Sequence, residues 1–214
     1  QALKKLFLYG TDLSGTIPVE IAELQNLDLL SLDSTAISGS IHDGFGSMQA
    51  LRDLGLYSTQ LSGTIPAQLP RLGDAELHTT RISGTLPTSL AELSDLTTLK
   101  VFSTRVSGTL SPRFSRLTSL ELLQLQSTLL SGTIPDLSGC SDLDTIDLGG
   151  CAITALPVAL PLSISHLNLA RNPINATAQD LNRLIAPLPR LSVLDASFVS
   201  EKVPLDYDGG DGGY

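Results

Sequence analysis

The stretch Leu13-Ser14-Gly15-Thr16-Ile17-Pro18 constrains this chain more than any other, because it recurs. It returns as Ile37-Ser38-Gly39-Ser40-Ile41, Leu61-Ser62-Gly63-Thr64-Ile65-Pro66 and Ile82-Ser83-Gly84-Thr85-Leu86-Pro87. It returns again as Val106-Ser107-Gly108-Thr109-Leu110 and Leu130-Ser131-Gly132-Thr133-Ile134-Pro135. Two residues before each copy stands a threonine: Thr11, Thr35, Thr59, Thr80, Thr104 and Thr128; Cys151 and Asn172 then take that place. Subtracting successive positions gives steps of 24, 24, 21, 24, 24, 23 and 21 residues. A fixed period of this size marks a solenoid, in which each unit buries its apolar face only against its neighbours.

A second column lies upstream. Leu3, Leu6 and Leu8 precede Thr11; Leu51, Leu54 and Leu56 precede Thr59; Leu120, Leu123 and Leu125 precede Thr128. The pattern is L-x-x-L-x-L-x-x-T-x-L. It resembles the leucine-rich repeat, with threonine at the usual Asn/Cys place. The Ser-Gly-x-Ile-Pro continuation resembles the plant-specific class of these repeats, found in receptor-kinase ectodomains and polygalacturonase inhibitors. The Ser-Thr pairs (Ser34-Thr35, Ser58-Thr59, Ser103-Thr104, Ser127-Thr128) resemble arrays in unicellular algae such as dinoflagellates.

The resemblance implies an α/β repeat fold: a right-handed leucine-rich-repeat solenoid with a parallel β-sheet on its concave face and short helical turns on its convex face. It covers residues 1–200, about eight repeats plus a C-terminal cap. Residues 201–214 read as an acidic, glycine-rich tail. Plant ectodomains open with a cysteine-paired cap, whereas this chain opens inside a repeat. Leu3, Leu6 and Leu8 are therefore expected to be covered by an N-terminal segment, removed or outside this chain, or by a partner chain.

Within a repeat, Leu6 and Leu8 point in while Lys5, Phe7 and Tyr9 point out. The ladder threonine turns inward, where its hydroxyl satisfies backbone groups at the bend. The Ser-Gly pair supplies the sharp turn, with glycine free to take positive φ. The Thr16, Thr64, Thr85, Thr109 and Thr133 column suits a second short strand on the flank; evenly spaced hydroxyls would also suit an ice or mineral surface. Residues 177–186 carry apolar residues at helical spacing behind Thr177 as N-cap. A last strand over 191–196 closes the array, with Phe198 as a lid.

Net charge is −9, which repels phosphate backbones and disfavours nucleic acid. No run of about 18 apolar residues exists to span a membrane. The two cysteines, Cys140 and Cys151, fall at inward positions; they read either as a disulfide or as two buried thiols. Of the histidines, His42 replaces the turn proline and reads as solvated. Asn175-Ala176-Thr177 is a glycosylation sequon whose use requires a secretory route.

No P-loop, nucleophile elbow, H-E-x-x-H or paired C-x-x-C is present, so the chain reads as a non-enzyme without a cofactor. Asp53, Asp74 and Glu76 should line up on adjacent strands, as a Ca²⁺ site, as an acid–base pair, or as a solvated patch beside Arg52 and Arg81. The outward row Tyr9, Asp33, Tyr57, His78, Phe102, Gln126, Gly149, Ala170 concentrates rings on the first five strands, in a chain only 4% aromatic. Such rings anchor interfaces. The expected contact surface is Phe7, Tyr9, Tyr57, Glu76, His78, Lys100, Phe102 and Arg105. It suits a protein, peptide or glycan partner, in an extracellular or organelle-lumenal setting. The competing reading is a structural subunit docked permanently on a larger algal photosynthetic or cell-surface complex.

Overall fold

The computed structural model describes residues 3–197. Phe198 and residues 201–214, expected as lid and tail, lie outside the described residues, as does the boundary expected at residue 200. Among the described residues, two parallel sheets run the length of the array. The concave sheet takes one three-residue strand from each repeat: Lys5–Phe7, Leu29–Ser31, Asp53–Gly55, Asp74–Glu76, Thr98–Lys100, Leu122–Gln124, Thr145–Asp147, His166–Asn168 and Val193–Asp195. The second sheet lies on the flank: Ser14–Thr16, Ala36–Ser40, Gln60–Thr64, Arg81–Thr85, Arg105–Gly108, Leu129–Thr133 and Ala152–Ala155. Within each sheet every inner strand pairs with the equivalent strands of the repeats before and after it, and the end strands pair on one side, the connectivity of a right-handed solenoid. The convex side carries 3-10 turns at Val19–Glu23, Asp43–Ser47, Thr88–Glu92 and Pro112–Arg116. The shorter repeat between Thr59 and Thr80 crosses that side without one.

The core follows from the leucine spacing. Leu30, Leu54, Ala75, Leu99, Leu123, Ile146 and Leu167 stack as one buried column, and Leu32, Leu56, Leu77, Val101, Leu125, Leu148 and Leu169 as a second. Phe45 and Phe114 fill the wider convex side. In the first repeat Leu6 and Leu8 are only partly buried, and Leu3 is 42% exposed.

The bend after each concave strand is where the sequence signature acts. The residue before the ladder position is left-handed throughout: Ser34, Ser58, Ser103 and Ser127 at φ 53° to 56°, Thr79 and Arg171 at 56°, and glycine at Gly10 and Gly150. Left-handed backbone is strained for any residue with a Cβ, and most for a β-branched or bulky one; a small serine fills the position in four repeats. The following threonine then donates its hydroxyl to the carbonyl three residues back. Thr35 reaches Leu32 at 2.7 Å, and Thr59, Thr80, Thr104 and Thr128 reach Leu56, Leu77, Val101 and Leu125 at 2.8 Å. These bonds stay within one repeat. Asn172 does more: its Nδ2 donates to Leu148 O at 2.7 Å and Leu169 O at 3.0 Å, and its Oδ1 accepts from Ile153 N at 2.9 Å. It therefore ties its repeat to the one below.

Where threonine gives up that link, the Ser-Gly-Thr segment restores it. Ser38, Ser62, Ser83, Ser107 and Ser131 each donate to the carbonyl of the preceding repeat's glycine, at 3.1 to 3.3 Å. The glycines sit at φ 78° to 96°. The threonine that follows covers the next repeat's glycine: a Cβ at Gly39, Gly84 or Gly108 would lie 2.8 to 2.9 Å from the methyl of Thr16, Thr64 or Thr85. The regular threonine column is thus explained by packing on the flank strand.

The C-terminal helix, Ala178–Ile185, starts where expected. Thr177 accepts from Asp180 N at 3.1 Å, and Asp180 returns a carboxylate to Thr177 N at 3.0 Å, a reciprocal capping box. The final strand is shorter than expected, Val193–Asp195. His42, expected to be solvated, instead packs edge-on against Phe45 with ring centroids 5.1 Å apart. A flat ring can fill the proline's place on the convex side and bury against the phenyl.

The two threonine columns are distinguishable by mutation. Thr104→Val strands a buried carbonyl at the bend and is expected to cost about 1–3 kcal/mol in urea unfolding. Thr85→Val keeps the methyl over Gly108 and is expected to stay within about 0.5 kcal/mol of wild type. Equal losses at both positions would contradict this division of labour.

Candidate functional site

Strand spacing builds the site. Adjacent parallel strands lie about 4.8 Å apart, which suits flat rings stacked face to face. At the ends of three consecutive concave strands, Tyr57, His78 and Phe102 form such a stack. The Tyr57–His78 centroids are 4.6 Å apart at 12°, and the His78–Phe102 centroids 4.1 Å apart at 10°. All three side chains are half-buried. Burial is the main influence on His78 and lowers its pKa, outweighing the opposing pull of Glu76. At the first strand, Phe7 and Tyr9 meet edge to face at 6.2 Å and are 54% and 57% exposed.

Between these two aromatic groups the surface dips. An open hollow of about 370 Å³ is lined by Phe7, Tyr9, Ser31, Asp33, Asp53, Gly55, Tyr57, Asp74 and Glu76, over the buried Leu30 and Leu54. It exists because Ser31 and Gly55 are small. Asp33 sits at its base, only 6% exposed, and accepts a hydrogen bond from the Ser31 hydroxyl. The Tyr57 hydroxyl is also hydrogen-bonded to Asp33, which with burial and the nearby carboxylates pushes the Tyr57 pKa up. Asp53 and Asp74 face each other in register on neighbouring strands, as expected. Burial, then the charges of Asp74 and Asp28, raise the Asp53 pKa, while Lys5 opposes them.

The remaining expected residues divide. Glu76 and Lys100 lie opposite each other on adjacent strands and form an ion pair at 2.5 Å. Asp74 accepts from the Thr97 hydroxyl at 2.9 Å. Two of the three oxygens sources considered for Ca²⁺ are therefore engaged already, and among the described residues no three His, Cys, Asp or Glu side chains come together to hold a metal ion. Arg105 was expected beside Phe102. It stands instead on the flank, as the first residue of the strand Arg105–Gly108, because the left-handed Ser103 and inward Thr104 turn the chain between them. The residue sequence reasoning missed is Asp33, read as outward; the small side chains at Ser31 and Gly55 were the available signal.

Elsewhere, both cysteines are free thiols. Cys140 is buried, donates to Phe114 O at 3.1 Å, and is pushed up to about 11 by burial. Cys151, in the ladder, is only partly buried and reaches back to Leu125 O at 3.3 Å. The lower edge of the first repeats forms an apolar hollow of about 260 Å³ lined by Leu6, Leu8, Leu13, Ile17 and Ile21 among others. Asn175 is exposed. Among the described residues no helix is long and apolar enough to cross a membrane.

The fold is a leucine-rich-repeat solenoid, similar to the ectodomains of plant receptors. No family model matches the chain, and no curated protein matches it. Among solved structures, the leucine-rich-repeat ectodomain of the plant membrane receptor kinase GASSHO1/SCHENGEN3 from Arabidopsis thaliana, in complex with CASPARIAN STRIP INTEGRITY FACTOR 2, superposes with a TM-score of 0.82. The identity is 26%, over 90% of this chain and 24% of that one. The Arabidopsis receptor kinase HAESA, in complex with the peptide hormone IDA and the co-receptor SERK1, gives a TM-score of 0.81 at 25% identity, over 93% and 34%. The PEPR1–AtPEP1 complex gives 0.75 at 29% identity, over 82% and 26%. The chain thus spans about a quarter to a third of the length of these receptor chains.

The stacked histidine makes a pH prediction. Folding lowers the His78 pKa, so the folded state binds fewer protons at this site than the unfolded chain. Its contribution to stability falls as pH drops from about 6.5 through the folded-state value. Urea midpoints at pH 7.5 and 5.5 should therefore fall more for wild type than for His78→Gln. An identical drop in both would show that the ring titrates freely.

Proposed function

We propose that the chain is a non-enzymatic recognition module that binds an extended peptide, or a peptide segment of a larger protein, across its concave face. The observation that carries this is the aromatic strip: Tyr9, then Tyr57–His78–Phe102, on four of the first five strands. Rings held in register by a rigid sheet offer contact area at little entropic cost. From Tyr9 to Phe102 is four strand intervals, about 19 Å, the reach of roughly six extended residues. The neighbouring receptor kinase HAESA, in complex with a peptide hormone, supports the same reading, and the description of the GASSHO1/SCHENGEN3 structure as an ectodomain supports an extracellular setting. A glycan remains a second class of ligand that stacked rings accommodate.

A different reading, a subunit docked on a larger assembly, draws on the apolar N-terminal hollow and on Leu3 and Leu13, 42% and 41% exposed. Size-exclusion chromatography separates the two: a monomer supports the recognition module, and self-association through that edge supports the subunit.

For a peptide selected on the immobilised chain, Tyr57→Ala and Phe102→Ala are each expected to weaken binding by about 1–3 kcal/mol, with Gln126→Ala nearly neutral. Negligible effects at all three positions in calorimetry would place the partner elsewhere. If the chain passes through a secretory route, the exposed Asn175 should carry a glycan; an intact mass from the native source that a glycan amidase leaves unchanged would refute this.

A further inference from the structure

The hollow between Tyr9 and Tyr57 differs from the rest of the strip. Tyr9 and Tyr57 are two strands apart, about 10 Å by strand spacing, and Asp33 lies on the strand between them. The wall rings are Phe7, Tyr9 and Tyr57; the polar groups facing in are Asp33, Asp53, Asp74 and Glu76. Glu76 is matched by Lys100, and Asp74 by a threonine hydroxyl. Lys5 acts on Asp53 from the edge, against burial and the charges of Asp74 and Asp28. Asp33 is in a different position. It is 94% buried by subtraction from its 6% exposure, and the hydrogen bonds it accepts come from the neutral hydroxyls of Ser31 and Tyr57. Among the described residues no Lys, Arg or His side chain pairs with it.

Burying a carboxylate with only neutral donors is costly unless a cation completes the site. The aromatic walls add a second preference of the same sign, because ring faces attract cations. The strand glycine at Gly55 keeps the space open: a Cβ there would lie 3.2 Å from Asp33 Oδ1. A glycine inside a strand often marks such close approach. A divalent metal is a poor occupant, since among the described residues no three acidic or imidazole side chains come close enough together to hold one.

We propose that this hollow is a specificity pocket for a cationic side chain, a guanidinium or ammonium group of the bound peptide, with Asp33 as its anion and Tyr9 and Tyr57 as its walls. The proposal rests on the concave-face reading above and adds the chemistry of one ligand residue. The Tyr57–His78–Phe102 stack then carries the adjoining, less charged part of the peptide. Asp53, at the hollow's outer side, adds longer-range attraction that weakens with salt.

The test uses the full chain and two small probes, N-acetyl-arginine amide and its neutral isostere N-acetyl-citrulline amide, in an NMR titration. The arginine probe should shift the amide resonances of Asp33, Gly55 and Tyr57, and the citrulline probe should not. Asp33→Asn should weaken the arginine probe about tenfold, and Gly55→Val, which fills the hollow without changing charge, should abolish the shifts. A thermal melt checks that both variants fold. Equal shifts from both probes, or shifts that survive both substitutions, would overturn the proposal. A peptide-library selection on the same chain separates it from the broader reading. Peptides sensitive to Phe102→Ala and enriched in Lys or Arg support both. Peptides sensitive to Phe102→Ala without that enrichment retain the concave-face reading and reject the cation pocket. Peptides insensitive to Phe102→Ala reject the concave-face reading.

Discussion

A chain that leaves a concave strand and turns into a flank strand has to bury the carbonyl at that bend, and the rest of this molecule depends on how that carbonyl is satisfied. The ladder threonine does it with one hydroxyl, at 2.7 to 2.8 Å from the carbonyl three residues back in each of five buried copies. That bond fixes the bend. The bend fixes the direction of the flank strand, and so the register of both sheets. Asparagine at the same place, as Asn172 shows, bonds both its own bend and the repeat below. Threonine has too few polar atoms to do both.

The lateral link therefore moves outward, to the serine of Ser-Gly-Thr, whose hydroxyl reaches the preceding repeat's glycine carbonyl. The three residues of that signature have three separate jobs: the serine links, the left-handed glycine lets the chain through, and the threonine methyl closes over the next glycine. With the backbone satisfied on the flank, the concave face is free to vary. It does vary: aromatic and acidic at one end, small and polar at the other.

Much of this was legible in the sequence because it repeats. The period gave the solenoid, the leucine spacing gave the two core columns, and strict alternation placed Tyr57, His78 and Phe102 in one row and Asp53 beside Asp74. Thr177 announced the helix. What alternation could not give was depth. Asp33 occupies an outward position yet is buried, because its neighbours Ser31 and Gly55 are small and Tyr57 bonds to it. Nor could sequence distance show that Arg105, three residues after Phe102, stands on another sheet: the intervening left-handed Ser103 redirects the chain. His42 was misread for a related reason, since a histidine in a proline's place turns inward when a phenylalanine lies three residues on.

The serine links all point one way, each repeat donating to the one before it and offering its own glycine carbonyl to the one after. The joints between the first six units are thus chemically alike. A whole unit excised or duplicated by unequal exchange in a gene would rejoin donor to acceptor without a mismatch. The ring stack has no such periodicity, since it needs three particular units in order. Adding or removing one of the like units would leave the flank ladder continuous, while separating the units that carry Tyr57, His78 and Phe102 would dismantle the stack.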